Sequence, residues 1–372
     1  MHIETIAVHA GGDPDPATGA VAPPIHLSTT FEHGPAGEHT HGYIYIRESN
    51  PTQTRLETAL AALEGGDAAL NFASGMGAVS AIVQRLEPGS HVILPDDMYI
   101  DFRNLARIFM PKWGIEHTVV NMSELDQLQK AMRPATKLVW LETPSNPLLK
   151  VTDIAEAVRI AHAGGAMVVV DSTFATPVLQ RPLELGADVV MHSTTKYFGG
   201  HSDVQGGALI FRKRDKLVEQ VMEARRVIGA AASPFNAWLV LRGLRSLVCR
   251  VEKHCANAMA LAHALAKSPA VSSVFYPGLE SHAGHAVARK QMKAFGGMLS
   301  IRVKGGREQA VRAASRVKLF QTATSLGGVE SLIEHRASSE GPGTTTPEDL
   351  LRLSVGLEHA DDLIADLEQA LA

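Results

Sequence analysis

Cysteine is nearly missing from this chain. Only Cys249 and Cys255 occur in 372 residues, six apart in a helical pattern. That spacing is poor for a bridge within one helix and argues against a disulfide framework. Long apolar runs are missing as well; none approaches the ~20 residues that a membrane span needs. The opening stretch "MHIETIAVHAGGDPDPATGAVAPP" has neither the basic segment nor the apolar core of a secretory signal, so a cytoplasmic protein off the membrane is expected. Charge of one sign is not in excess. The formal net charge is −4 and Lys and Arg do not cluster, which gives no reason to expect nucleic acid as a partner. Metal-binding spacings are absent too: there is no HExxH, CxxC or EF-hand pattern. The one dense histidine cluster, His33 with "HTHG" at 39–42, sits in an irregular stretch. No metal is expected.

What remains is an ordinary globular composition, 45% hydrophobic and 20% charged. The length exceeds one compact core and predicts a large domain plus a smaller one. Residues 1–55 are rich in Pro, Gly, His and Thr and lack periodicity; they read as a long arm of the kind tied down by another subunit. Residues 56–245 read as the large domain. Helical patterns such as "PTQTRLETALAALEGG" and "DIAEAVRIAHAGG" alternate with short apolar runs such as "HVILP", "KLVWLETP", "AMVVVDSTF" and "ADVVMHS". Continuous apolar runs suit strands covered on both faces, and alternation with helices predicts a mostly parallel α/β sheet. "SELDQLQKAM" reads as a helix capped by Ser123, "FRNLARIFMPKWG" as one helix, and the stretch from Pro234 to Ser268 as one long helix. Residues 246–372 read as a smaller α+β domain with an antiparallel sheet.

In parallel sheets ligands bind beyond the carboxyl ends of the strands. Ser74, Asp96, Glu142, Asp171 and Ser193 occupy such positions. In "FASGMGAV" a strand runs through Ser74, Gly75 and Gly77 into a helix, an arrangement whose free N–H groups and dipole favour a phosphate. A dinucleotide fingerprint is the rival reading, but Ser80 stands where its third small residue belongs. Asp171 closes an apolar run, where a carboxylate either caps a turn or meets a cation. Lys196 follows "MHSTT" among hydroxyls and glycines. Burial there lowers a lysine's proton affinity and frees its amine for Schiff-base chemistry, and Ser193 and Thr195 can donate to a phosphate. A phosphate cradle, a carboxylate and a lysine at successive strand ends match one cofactor, pyridoxal phosphate (PLP). The lysine holds it as an imine, and the carboxylate keeps the ring nitrogen protonated.

With these residues in place the sequence resembles the Cys/Met-metabolism family of PLP enzymes, the cystathionine γ-synthase and γ-lyase group. The likeness runs through "AVHAGGDPDPATGAVAPPIHLSTTF", "YIRESNPT", "ASGMGAV", "LPDDMY", "ETPSNP", "VVDSTFATP", "HSTTKYFGGHSD", "SLGGVESL" and "LRLSVGLE". It implies the PLP-dependent transferase fold type I, aspartate-aminotransferase-like. It implies Lys196 as the Schiff-base lysine, Asp171 as the partner of the pyridine nitrogen, and Gly75 and Met76 as backbone phosphate donors, joined by the Ser193 and Thr195 hydroxyls. Tyr99 corresponds to the tyrosine that stacks on the ring and helps move protons. Tyr45 and Arg47 correspond to a pair that reaches the phosphate of a neighbouring subunit, which implies a homo-oligomer, usually a dimer of dimers. Arg352 corresponds to the arginine that grips the substrate α-carboxylate, with Ser325 and Asn146 corresponding to substrate-binding residues that line the substrate side and the ring hydroxyl side.

The implied activity is γ-elimination or γ-replacement on sulfur amino acids. Alternatives are an O-acylhomoserine sulfhydrylase, a methionine γ-lyase, or a non-catalytic binding protein on the same fold. Three departures stand out. Tyr99 is followed by Ile100, Asp101 and Phe102 instead of small residues, and the cysteine that marks methionine γ-lyases is absent. Thr324 stands where glutamate is common before "SLGGVESL". The loop "HRASSEGPGTTTPE" replaces the usual "HPATMTH"-like segment, so that His335, Arg336 and Glu340 either recognise a different distal group or form a solvated loop.

Overall fold

The computed structural model describes residues 1–341 and 344–372. Seven strands form the larger sheet: β1 (Ala68–Phe72), β2 (His91–Pro95), β3 (Glu116–Val120), β4 (Thr136–Glu142), β5 (Met167–Asp171), β6 (Val189–His192) and β7 (Gly207–Phe211). Their order is β1-β7-β6-β5-β4-β2-β3. β3, β2, β4, β5 and β6 pair in parallel, and β7 runs antiparallel to both β6 and β1. The mostly parallel α/β sheet expected from the alternation is therefore present. Side chains of a strand alternate between faces. Leu138, Trp140 and Val169 pack with helices Gly75–Val83 and Lys216–Ile228, whereas Val139, Leu141, Val168 and Val170 pack with helices Leu125–Ala131 and Ile154–Ala163. Both faces are covered, which is why these runs carry no polar alternation. β3, an edge strand, is half-exposed and opens with the polar side chains Glu116, His117 and Thr118.

Five strands form the second sheet: β8 (Val271–Phe275), β9 (Met298–Val303), β10 (Gln321–Thr322), β11 (Leu332–His335) and β12 (Leu350–Ser354). They are ordered β10-β11-β12-β9-β8, antiparallel except for β10 with β11. One face is covered by helices Leu247–Leu265, Gly306–Arg316 and Ala360–Leu371.

Several local expectations are corrected. Ser123 does not cap helix Leu125–Ala131. Asn121 organises that start: its Oδ1 accepts the Ser123 N–H (3.2 Å) and its amide donates to Glu124 (3.0 Å). The stretch after Tyr99 is helix Ile100–Ile108 followed by a separate 3₁₀ turn, Met110–Trp113, because Pro111 cannot continue the first. The N-terminal 55 residues are irregular, but Ile3–His9 is helical and buries Ala7 against Leu56 and Ala59. Helix Arg336–Glu340 lies in the segment that reads as loop, and β11, just before it, has no counterpart in the sequence reading.

The long helix from Pro234 also breaks, into Pro234–Leu244 and Leu247–Leu265. The break is where the segment after Lys196 docks. A Cβ on Gly243 would collide with the carbonyl oxygens of Phe198 and Gly199, so glycine is what lets that segment approach. Buried Arg250 donates to the carbonyls of Tyr197 and Gly243, each at 2.7 Å, and joins the two pieces. In an ordinary helix Gly→Ala gains about 1 kcal/mol. Gly243→Ala is expected to reverse that sign and destabilise by about 1–3 kcal/mol through overpacking against backbone. A denaturant midpoint that rises would contradict this docking.

Candidate active site

The carboxyl ends of β1, β2, β4, β5 and β6 point to one side of the sheet. There, with residues from the second sheet, they enclose a cavity of about 350 Å³. At its β1 end, Ser74 is extended (φ −159°) and its hydroxyl accepts the Gly77 N–H (3.0 Å), starting helix Gly75–Val83. The N–H groups of Gly75 and Met76 lie in the first turn, where no helical carbonyl can reach them. A Cβ on Gly75 would stand 3.3 Å from Ser193 Cβ, so glycine allows the end of β6 to close on this turn.

Asp171 and Glu142 are opposed in register at the ends of β5 and β4. Asp171 accepts the Thr173 N–H (3.0 Å), and the Thr173 hydroxyl accepts the Ser193 N–H (2.9 Å). Glu142 accepts the Tyr99 N–H (2.9 Å). Burial raises the proton affinity of both acids; for Glu142 the neighbouring Asp171 raises it further, while for Asp171 the Thr173 hydrogen bonds oppose it. The buried Glu142 and the half-buried Asp171, side by side, are satisfied by sharing a proton or by a cation laid against one of them.

Lys196 follows β6. Its Nζ donates to the Ser325 hydroxyl at 2.7 Å. Burial brings its pKa down to about 8, helped by the Arg352 guanidinium. Ser325 is held at φ 81°, a region costly for a residue with a side chain. Its carbonyl accepts Arg352 Nη2 (3.0 Å), so one residue touches both the lysine and the arginine. Arg352, on β12, also donates to Asn146 Oδ1 (3.0 Å) and to Glu334 Oε2 (2.5 Å), its direct cross-strand partner on β11. Burial, and next the Arg336 charge, bring the Arg352 pKa down to about 10. Tyr99 is 40% exposed; its hydroxyl donates to Asp101 Oδ2 (2.9 Å), and burial with that hydrogen bond pushes its pKa up to about 12.

The cavity therefore gathers Gly75, Met76, Tyr99, Asn146, Asp171, Ser193, Thr195, Lys196, Ser325 and Arg352 on its wall. The Thr195 hydroxyl donates to the Gly206 carbonyl (3.2 Å) and is engaged within the chain. Tyr45 and Arg47 are not brought there. They lie in the arm with the Arg47 guanidinium 5.0 Å from the centroid of a Tyr45 ring that is 39% exposed. Sequence reading gave Glu142 a strand-end position but no role, and it missed Glu334. The solvated-loop reading of residues 335–348 fails for Arg336, which is 4% exposed and lines the cavity. His335 is buried and bonds Ser338 and the Glu348 carbonyl, securing the segment away from the cavity. Pro342 and Gly343 of that loop lie outside the described residues. Among the described residues no His, Cys, Asp and Glu groups are placed to hold a metal, and no helix is long and apolar enough to cross a membrane.

The donor set fits PLP. Asp171 is a half-buried carboxylate in want of a cation, the Gly75 turn is a cradle for a phosphate, and Lys196 offers a desolvated amine. The class is that of the fold type I PLP-dependent enzymes. The chain belongs to the Cys/Met metabolism PLP-dependent enzyme family, whose model matches residues 4–372. It is 49% identical over 374 residues to "Cystathionine gamma-synthase" of Mycobacterium bovis, covering 99% of this chain and 96% of that relative. It is 44% identical to "Cystathionine beta-lyase" of Coxiella burnetii, over 100% and 98%. The crystal structure of metB from Corynebacterium glutamicum superposes with a TM-score of 0.97 at 44% identity, over 100% and 98%.

A lysine titrating near 8 stands apart from surface lysines, which titrate near 10.4. In cofactor-free protein an amine-acylating reagent is expected to modify Lys196 with a pH midpoint near 8, followed by peptide mapping. A midpoint shared with the other lysines would contradict the desolvated setting.

Proposed function

We propose that this enzyme eliminates or replaces the γ-substituent of a sulfur amino acid or its homoserine ester, in the manner of a cystathionine γ-synthase or γ-lyase. The observation that carries the reading is the Lys196 amine. It is desolvated and 2.7 Å from Ser325, whose carbonyl meets the guanidinium that would bind an α-carboxylate. The names of the relatives, cystathionine gamma-synthase and beta-lyase, support it.

When bound, PLP supplies an electron sink for a carbanion at the substrate Cα. Lys196 would be its covalent anchor, Asp171 would pair with the ring nitrogen, and Gly75, Met76 and Ser193 would hold the phosphate, joined by Thr195 once its hydroxyl leaves the Gly206 carbonyl. Tyr99 would lie over the ring. Arg352, steadied by Asn146, Ser325 and Glu334, fixes the α-carboxylate through a planar, two-pronged contact. Lys196 Nζ would take the Cα proton and move it onward, with Tyr99 Oη as a second carrier. Tyr45 and Arg47 complete the phosphate site of a second copy, so the active unit is at least a dimer, and a dimer of dimers follows from the same resemblance. Their exposure in the single chain supports this, as do the bare Val21 (73%) and Leu27 (65%) of the same arm. The division into arm (1–55), large domain (56–245) and small domain (246–372) belongs to this reading. So does a reducing cytoplasmic setting, which the free thiols Cys249 and Cys255 support.

The test is turnover by the PLP-loaded protein of cystathionine, and separately of O-succinylhomoserine with cysteine. γ-Cleavage of cystathionine yields cysteine and 2-oxobutyrate, whereas β-cleavage yields homocysteine and pyruvate, so the products assign the bond. Lys196→Ala is expected to lose the visible absorption of the anchored cofactor and to lower turnover by at least about 10³. Unchanged turnover in that variant would defeat the mechanism, and β-cleavage products would reassign the reaction.

A further inference from the structure

Two guanidinium groups, not one, stand on the cavity wall. Arg352 and Arg336 are each 4% exposed. The proposed reaction uses Arg352 for the α-carboxylate and leaves Arg336 without a task. A buried arginine is costly unless its donors are met, and a wall can be closed with apolar side chains at lower cost. Arg336 is only partly met. Its Nη2 donates to Glu340 (2.8 Å), but its Nη1 stands 3.2 and 3.3 Å from the two oxygens of Glu334, which gives its short contact to Arg352. Its Nε is buried and has no hydrogen-bond partner among the described residues.

The surroundings fix Arg336 without quenching it. Glu340 is shared with the hydroxyls of Thr344 and Thr346, and Glu334 with Arg352, so two acids face two arginines with no surplus negative charge. Held by both acids, the guanidinium cannot swing out to solvent. It lines the same cavity as Lys196 and Tyr99, and its positive charge opposes a proton on either.

Resting on the γ-substitution reading, we infer that Arg336 is a specificity-determining residue that binds a second anionic group on the substrate, a carboxylate at the far end of the γ-substituent. The enzyme then prefers amino acids with a carboxylate at each end, such as a γ-succinyl ester or a thioether of a second amino acid. γ-Acetyl or γ-methylthio substrates, which end without charge, bind less well.

Two amino acids without a γ-leaving group isolate the effect. 2-Aminosuberate carries the far carboxylate and 2-aminooctanoate, of equal chain length, does not. Affinity for the PLP-loaded protein is read by calorimetry. The wild type is expected to prefer 2-aminosuberate by at least about tenfold, the scale of one hydrogen bond to a charged group. Arg336→Gln and Arg336→Met, two neutral replacements, bring the ratio within about twofold, while Arg336→Lys keeps part of it. Equal binding by the wild type would overturn the inference. So would neutral variants in which both affinities fall together and the ratio persists, because then Arg336 only braces Glu334 and Glu340. The ratio does not depend on turnover, so failure of the γ-substitution assay would be seen separately.

Discussion

A chain of two hydrogen bonds holds the site together: Lys196 Nζ to the Ser325 hydroxyl, and Arg352 to the Ser325 carbonyl. One end is anchored beyond β6 of the large sheet and the other on β12 of the second sheet. Ser325 makes both contacts only in a left-handed backbone conformation, a strain that the surrounding fold sustains. Around this joint, Gly243 and Arg250 dock the Lys196 segment onto the broken helix, and Glu334 and Asn146 set the plane of Arg352. The proposed reacting amine and the proposed carboxylate receptor are thus positioned by the same residue.

Burial governs the chemistry that these positions allow. It weakens the hold of Lys196 on its proton and strengthens the hold of Asp171 and Glu142 on theirs. Under the proposed reading, a cofactor with a cationic ring nitrogen and an anionic phosphate would place the first against Asp171 and the second on the first turn after Ser74. On the substrate side, Arg352 and Arg336 give the wall two positive groups, each braced by acids from β11 and the short helix beyond it.

Much of this was legible in the sequence for a local reason. The strands of the large sheet are short apolar runs, and Ser74, Asp171 and Ser193, at or just beyond the ends of such runs, line the cavity, whereas Asp96, named on the same ground, pairs with Lys150 instead. Lys196 was found by its hydroxyl and glycine neighbours. Glu142 stood at such a position too, but its role depends on a neighbour 43 residues away along the chain, the N–H of Tyr99. What stayed hidden depends on contacts between distant segments. The break after Leu244 reflects the approach of the Phe198–Gly199 carbonyls, not any helix-stop signal in "LRGLRSL". Arg336 sits among Ser, Gly and Thr, which reads as a solvated loop. Only the pairing of β11 with β12 reveals that Glu334 draws it inward. Tyr45 and Arg47 carry a strong likeness to a known motif yet lie away from the cavity of their own chain.

The account stands on Lys196 as the single covalent anchor of the cofactor. Borohydride reduction of the PLP-loaded protein, followed by proteolysis and mass spectrometry, tests this directly. The account predicts the reduced cofactor on the peptide containing Lys196 and on no other lysine. Attachment at a different lysine, or loss of the cofactor from the protein after reduction, would contradict it.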